Sequence, residues 1–532
     1  MLIKLQQECT DMHSSRAPVP LLHDYLQQSA LAFADKVALV CMKQRLTYAE
    51  LDAQSNALAN TLTEAGVQRG DRVVIFGDNT VETVVSFWAT LKANAVVSIV
   101  NPLTKSDKLR YLLEDCRPKV LISDQHLATV FAAPARECRH LRRIIVSGAF
   151  DDARLLDIPH VQRWDHALRA GDRLKPPKRQ CIDIDLAAII YTSGSTGDAK
   201  GVMLTHRNML TASTSISSYL EVSQDEVILG VLPLAFDYGL YQMIMAFHVG
   251  ARLVLERSFA FPALILKLMV EEGVTGFPGV PTIFAILAEL KSLKDFDFSK
   301  IRYVTNTAAN LPVKHILMLK DLFPHSRIYS MYGLTECKRC TYLPPKDIDR
   351  KPSSVGIAIP NTEMWIVDDD GNSVGPDVVG QLVIRGATVM KGYWEKPEAT
   401  AKKLRPGPLP GEQVLYTGDF CKIDEEGYLY FVGRMDDVIK SRGEKVAPKE
   451  VENALMNISG VKEAAVIGVP DEILGQAVKA FVVLEENSSL TEKQLQKECQ
   501  SRLENFMVPK IVAIVSDLPK TDTGKIKKTG LA

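Results

Sequence analysis

Tyr191-Thr-Ser-Gly-Ser-Thr-Gly-Asp-Ala-Lys200, followed by Gly201, is the stretch from which the fold can be read outward. Just before it, Leu186 to Tyr191 (LAAIIY) is apolar and β-branched at its centre, the pattern of a short buried strand. Beyond it, the pattern predicts a helix starting near Thr205. The segment itself carries two glycines, four hydroxyls and a lysine. Glycines let successive backbone N–H groups turn toward one anion, hydroxyls add donors, and Lys200 adds charge: a set suited to a polyphosphate. The spacing is not G-x-x-x-x-G-K-[ST], which disfavours a conventional P-loop ATPase. A Ser/Gly-rich loop by itself is an ordinary solvated turn. The flanking strand, the lysine and the helix start set this one apart.

Helix–strand alternation extends on both sides. Leu46 to Val73 has helical apolar spacing and a Gly-Asp turn into a strand at Val73–Phe76. Val81 to Leu91 reads as a helix and Ala95–Val100 as a strand, and further strands are expected at Lys119–Ile122 and Arg143–Val146. The series resumes at Val227–Leu232, Ala251–Leu255, Gly276–Pro278, Arg302–Thr305 and Ile328–Tyr332. Such alternation implies an α/β fold of wound layers with mostly parallel strands. After about Asn361 the pattern changes. Met364–Asp368, Gly380–Arg385 and Gly427–Val432, with Gly/Pro-rich turns around Pro406–Gly411, imply a smaller and more antiparallel β unit. Past Gly433-Arg434, a helix (Glu450–Met456), strands (Val461–Gly468, Ala477–Leu484) and a helix (Thr491–Asn505) imply a small α+β domain. The expected organisation is a large N-terminal domain over 1–435 and a C-terminal domain over 436–532.

Composition narrows the functional classes. A chain of 532 residues has room for two or more domains with large cores. A net charge of −1 argues against nucleic-acid partners and against binding driven by anionic membranes. No run approaches the roughly 18 apolar residues of a membrane span, and the N-terminus (MLIKLQQECTDMHSSR) has no apolar signal core, so a cytoplasmic protein is expected. Nine scattered cysteines do not form a disulfide framework. Cys337 and Cys340 make one C-x-x-C with no second ligand pair, so ordinary wall residues are favoured over a metal or redox role.

Four further segments acquire meaning in combination. Ser330-Met-Tyr-Gly-Leu-Thr-Glu336 closes a strand with a glycine turn and a carboxylate. Tyr416-Thr-Gly-Asp419 puts an acid in a tight turn, where a turn-stabilising role is the default. Gly433-Arg-Met-Asp-Asp-Val-Ile-Lys440 and the following Ser-Arg-Gly-Glu-Lys concentrate charge at the expected domain junction. Lys520-Thr-Asp-Thr-Gly-Lys525 lies near the chain end.

Together with the Gly/Ser/Thr loop, these segments resemble the adenylate-forming superfamily, which includes acyl- and aryl-CoA ligases and amino-acid adenylation enzymes. The resemblance covers essentially the whole chain, with the motifs in the family's order. It implies a large N-terminal domain, a hinge and a mobile C-terminal lid, with ATP and Mg²⁺ as cofactors. It assigns Thr192, Ser193, Gly194, Ser195, Thr196, Gly197 and Lys200 to a pyrophosphate loop. Tyr332, beside Gly333, would stack on adenine, Thr335 would meet the α-phosphate, and Glu336 would hold the metal. Asp419 would bind the ribose hydroxyls, assisted by Arg434. Asp436 matches the hinge residue, Gly443 borders the thiol tunnel, and Lys525 matches the catalytic lysine.

The implied chemistry accounts for these residue types. A substrate carboxylate attacks the α-phosphorus of ATP and expels pyrophosphate. It is already ionised at neutral pH, so this step needs no general base. It needs in-line positioning and cancellation of negative charge. A thiol then attacks the acyl-adenylate after the lid has turned about the hinge.

The acid and the thiol remain open at this level. Leu232-Pro-Leu-Ala-Phe-Asp237-Tyr-Gly-Leu-Tyr241 has Asp237 where many acyl-CoA ligases carry histidine, and amino-acid adenylation domains have Phe-Asp there. An anion in an apolar pocket is costly unless a cation meets it, which makes an amino acid the natural partner. The alternative is an aspartate capping the helix that follows. By resemblance the pocket wall would hold Tyr238, Tyr241, Pro278, Val304, Asn306, Met331, Arg339 and Cys340, with a small or cyclic side chain favoured and proline the first choice. Seven residues follow Lys525, so the acceptor is expected in trans: the phosphopantetheine thiol of a free-standing carrier protein, or coenzyme A. Phe277-Pro-Gly-Val-Pro-Thr282 favours the competing reading, a fatty- or aryl-acid:CoA ligase. A nucleotide-binding but inactive protein is the third reading, against which Lys525, Glu336 and Lys200 weigh.

Overall fold

The computed structural model describes residues 20–156, 158–172, 174–193, 199–290, 293–307, 311–437, 439–441, 444–471, 474–520, 526–528 and 530–531. They form two compact units, residues 1–258 and 259–532. No helix among the described residues is long and apolar enough to cross a membrane.

The first unit contains strands β1 (Val37–Cys41), β2 (Gln44–Thr47), β3 (Arg72–Phe76), β4 (Val96–Val100), β5 (Val120–Asp124), β6 (Arg143–Ser147), β7 (Val161–Arg163), β8 (Leu186–Ser193), β9 (Ala199–Thr205), β10 (Val227–Gly230) and β11 (Arg252–Leu255). One ladder has the order β9-β8-β4-β3-β5-β6-β7, parallel except for the β8–β9 hairpin. The other runs β10-β11-β1-β2. Strands such as β4, buried at every position, read as continuous apolar runs because helices cover both faces. Helices start where the sequence supplies caps. Thr47 and Glu50 close a capping box ahead of Tyr48–Glu64, and Thr80 caps Val81–Lys92. Leu109, Leu112, Leu113 and Cys116 form one stripe of the helix Ser106–Cys116 and meet Val74, Phe76, Leu121, Phe131 and Ile144 in the core.

The second unit opens with β12 (Gly276–Gly279), β13 (Tyr303–Asn306) and β14 (Arg327–Leu334), which are parallel, followed by antiparallel β15 (Lys338–Tyr342) and β16 (Ile357–Ala358). A second ladder joins β17 (Thr362–Val367), β18 (Gly380–Gly386), β20 (Leu404–Pro406), β21 (Gln413–Ile423) and β22 (Leu429–Arg434), all antiparallel; the short β19 (Gly392–Tyr393) lies between β18 and β20 in the chain. A third joins β23 (Ile439–Ser441), β24 (Glu444–Val446), β25 (Val461–Asp471), β26 (Gly475–Leu484) and β27 (Ile511–Ile514), over a core that includes Val451, Leu455, Val466, Val478 and Leu495. The second ladder ends at Arg434 and the third begins at Ile439.

The α/β class and most elements match the sequence reading, and four local expectations need correction. Ala199–Thr205 forms a seven-residue strand, β9, where the reading placed no element ahead of the helix His206–Leu220, which Thr205 caps at the expected start. Gly333 lies inside β14 and not at its turn. Asp419 lies within the eleven-residue strand β21, whose only concession to a turn is Gly418 at φ +77°. The last expected helix is shorter, Glu492–Gln500, capped by Thr491 and Gln494.

Candidate nucleotide site

Asp419 is the centre of the site in the second unit. It stands opposite Arg434 in the β21–β22 pairing, so sheet register alone brings these charges together. Arg434 Nε lies 3.7 Å from Asp419 Oδ1. From the first ladder, the Tyr332 hydroxyl donates to Asp419 Oδ2 at 2.5 Å. Asp419 is 2% exposed, and among the described residues no hydrogen-bond donor reaches its Oδ1. Burial pushes the Asp419 carboxyl up, while the Arg434 charge and the Tyr332 bond pull it back. Burial and the neighbouring carboxylate hold Tyr332 well above the usual phenol range, so it stays a donor. A buried carboxylate oxygen with no donor is costly unless a ligand supplies one. Vicinal hydroxyls of a ribose supply such donors.

Glu336 sits at the turn between β14 and β15. Its Oε1 accepts from the Tyr393 hydroxyl at 2.6 Å, and its backbone carbonyl accepts from Met390 N at 2.7 Å. Burial, then the Glu336 charge, raises the Tyr393 phenol, which keeps that bond in place. Among the described residues no group of three or more His, Cys, Asp or Glu could hold a metal. A single carboxylate fits Mg²⁺, whose shell in nucleotide sites is completed by phosphate oxygens and water. Tyr393 was missed in the sequence; 57 positions separate it from Glu336.

The β14–β15 hairpin is tightly closed. A Cβ on Gly333 would fall 1.9 Å from the Lys338 carbonyl oxygen. A bulge follows Tyr332, and the Cys337 and Cys340 thiols, both buried, come within 2.9 Å of each other. The described cysteines are all free.

In the first unit, Thr192 pairs with Lys200 and Ser193 with Ala199 across β8 and β9. The Tyr191 hydroxyl donates to Asp115 Oδ2 at 2.5 Å, and the Tyr111 hydroxyl donates to the Ala199 carbonyl at 3.0 Å. Asp237 is the first residue of the helix Asp237–Val249 and is half-buried; Phe236 occupies the N-cap position, so Asp237 is not the capping residue. Tyr238 and Tyr241 are fully buried on that helix. In the second unit, Pro278, Val304, Asn306 and Met331 are buried on β12, β13 and β14, and Arg339 and Cys340 are buried on β15. Asp436 falls in the one-turn 3-10 helix Met435–Asp437, directly after Arg434. Gly194, Ser195, Thr196, Gly197, Gly443 and Lys525 lie outside the described residues.

Residues 26–394 match the model of the AMP-binding enzyme family, and residues 450–525 match the C-terminal domain of the same enzymes. The chain belongs to the AMP-binding enzyme family. It is 32% identical to a long-chain-fatty-acid–CoA ligase of Escherichia coli O157:H7, over 96% of this chain and 94% of that one. Among solved structures it resembles the anthranilate CoA ligase AuaEII in complex with anthranoyl-AMP, with a TM-score of 0.88 and 27% identity, covering 97% and 98% of the two chains. It also resembles ATP-bound MatB from Rhodopseudomonas palustris, with a TM-score of 0.84 and 30% identity, covering 95% and 98%. The chain is therefore an adenylate-forming ligase, and such enzymes use ATP with Mg²⁺. Relatives named as CoA ligases do not support the proline and carrier-protein expectation, and favour the CoA-ligase alternative.

Proposed function

We propose that this protein is an AMP-forming acid:coenzyme A ligase. It joins an organic acid to AMP with release of pyrophosphate, then passes the acyl group to the thiol of CoA with release of AMP. The observation that carries the nucleotide half is the buried Asp419 Oδ1, which lacks a hydrogen-bond donor, with Arg434 Nε 3.7 Å away, while the Tyr332 hydroxyl occupies Oδ2. The acceptor half is supported by the relatives, which are named as CoA ligases.

In this reading Asp419 takes the ribose hydroxyls and Tyr332 packs against the base, its ring fixed by the hydrogen bond at its tip. Thr335 meets the α-phosphate. Thr192, Ser193, Gly194, Ser195, Thr196, Gly197 and Lys200 take the departing pyrophosphate. Glu336, steadied by Tyr393, holds Mg²⁺, which when bound supplies positive charge to the phosphate oxygens. Lys525 cancels charge at the α-phosphorus during adenylation, and a turn at Asp436 exchanges it for the thiol path beside Gly443. The acid carboxylate forms the new O–P bond as the α,β-bridging bond breaks; the thiolate then forms the C–S bond as AMP leaves.

A second reading, an amino-acid ligase serving a carrier protein, rests on Asp237. The aspartate is half-buried at the first position of its helix, next to the N-cap residue Phe236. One experiment separates the two. ATP–pyrophosphate exchange is run with fatty, aryl and amino acids, and the best acid is then offered CoA or a phosphopantetheinylated carrier. Exchange with fatty or aryl acids followed by acyl-CoA formation is expected, and Lys525→Ala should abolish exchange. An amino-acid requirement with no acyl-CoA product would reverse the reading.

A further inference from the structure

The helix Ser106–Cys116 touches both β8 and β9, the strands on either side of the glycine-rich segment in the chain. Its apolar stripe, Leu109, Leu112, Leu113 and Cys116, is sunk in the core of the first unit. That anchoring leaves Tyr111 and Asp115 four residues apart, on one neighbouring face of the helix. Asp115 accepts the Tyr191 hydroxyl at 2.5 Å, on β8. Tyr111 donates to the Ala199 carbonyl at 3.0 Å, on β9. Tyr111 and Tyr191 also pack against the core to which Ala199 belongs. Thr192, Ser193 and Lys200 therefore follow directly from two pinned points.

We propose that Tyr111 and Asp115 are positioning residues for adenylation, holding Thr192, Ser193 and Lys200 where they meet the phosphates of ATP. The proposal rests on the reading of those three residues as phosphate-binding. A two-stranded hairpin is marginally stable alone. Pinning each strand to a core-anchored helix removes the rocking motion that would move the donors together. A misplacement of about 1 Å can cost about 100-fold in rate. Hydrogen bonds to a carboxylate are roughly twice as strong as neutral ones, so Asp115 should matter more than Tyr111.

The test is exchange kinetics on the full-length enzyme with Asp115→Ala, Asp115→Asn and Tyr111→Phe, each beside Lys200→Ala. Asp115→Ala should raise KM for ATP on the order of tenfold, and Tyr111→Phe by less. KM for the acid should stay within about twofold and the thermal midpoint should move little. Asp115→Asn keeps an acceptor for the Tyr191 hydroxyl and should recover most of the loss. A purely structural role would lower kcat with the amount of folded enzyme and leave KM for ATP alone. Unchanged KM for ATP in Asp115→Ala and Tyr111→Phe, or an equal rise in both KM values, overturns the proposal while Lys200→Ala remains impaired. Unimpaired exchange in Lys200→Ala instead overturns the phosphate-binding reading itself.

Discussion

Tyr332 and Asp419 stand 87 positions apart in the chain, and the hydroxyl of one donates to the carboxylate of the other at 2.5 Å. The bond ties the C-terminal end of a parallel strand to the middle of an antiparallel ladder. It occupies one carboxylate oxygen, while the other, Oδ1, meets no hydrogen-bond donor among the described residues.

Asp419→Ala should therefore separate nucleotide binding from folding. It removes the proposed acceptor for ribose and leaves the Tyr332 hydroxyl buried without a partner, a loss of about 1–3 kcal/mol. ATP affinity should fall at least tenfold. Tyr332→Phe removes the same internal bond but keeps the carboxylate, so it should cost comparable stability and much less ATP affinity. Calorimetric titration with ATP and thermal melts on both variants check this, and equal ATP affinities would exclude Asp419 from the ribose contact.

Gly333→Ala is expected to damage the hairpin through space and not through backbone conformation. The added methyl would meet the Lys338 carbonyl oxygen at 1.9 Å, so β14 and β15 would have to part. Overpacking of this kind costs typically 1–3 kcal/mol. Because Tyr332 and Glu336 flank the position, adenylation should fall along with the melting temperature. Gly375→Ala, with nothing within 4 Å of its added Cβ, is the control and should change neither.

Three buried histidines and the half-buried His248 make the fold sensitive to acid. Burial holds His206, His248 and His315 down to about 4, and His23 well below its usual range. The unfolded chain protonates near pH 6.5, so it binds more protons than the folded one between there and pH 4. Stability is thus full above about pH 6.5 and is lost as pH falls through that window, on the order of 2 kcal/mol per imidazole by pH 5. His206 shows why. It is buried beside the N-terminus of its helix, and its Nδ1 accepts from Leu22 N at 3.1 Å, which requires the neutral ring. His206→Asn offers an oxygen in place of Nδ1 and should flatten the dependence of melting temperature on pH between 7 and 5. An equally steep curve would assign the effect to other groups.

Much of this architecture is legible in the sequence, and the illegible part has a common cause. Parallel strands such as β3 and β6 announce themselves because continuous apolar runs have few other uses. The strand β9 was missed because Lys200, Gly201 and Thr205 break its apolar pattern, and the hairpin is stabilised by pairing with β8. Asp419 reads as a turn residue because Thr-Gly-Asp is turn chemistry, yet pairing with β18 and β22 extends the strand through it. The partners that orient the site, Tyr393 for Glu336 and Asp115 for Tyr191, lie 57 and 76 positions away. No local pattern carries such a contact. Motif residues can be named from sequence, while the residues that hold them require the fold.

The choice of acid turns on Asp237. As the first residue of its helix it complements the helix dipole whatever the substrate, so its presence alone does not demand an amine. If the CoA-ligase reading holds, Asp237→Asn should change kcat/KM for fatty or aryl acids by less than about threefold, because no ligand charge is lost with it. If an ammonium group is its partner, truncating one side of that pair costs on the order of 2–5 kcal/mol, about 30-fold to several thousand-fold in specificity for the amino acid. Pyrophosphate exchange is measured for proline and for tetrahydrofuran-2-carboxylate, which keeps the ring and lacks the amine, alongside a fatty and an aryl acid. The expected result is a preference for fatty or aryl acids that survives Asp237→Asn. A wild-type preference for proline that collapses in the variant, with tetrahydrofuran-2-carboxylate poor in both, would restore the amino-acid reading and make the carrier protein the acceptor to pursue.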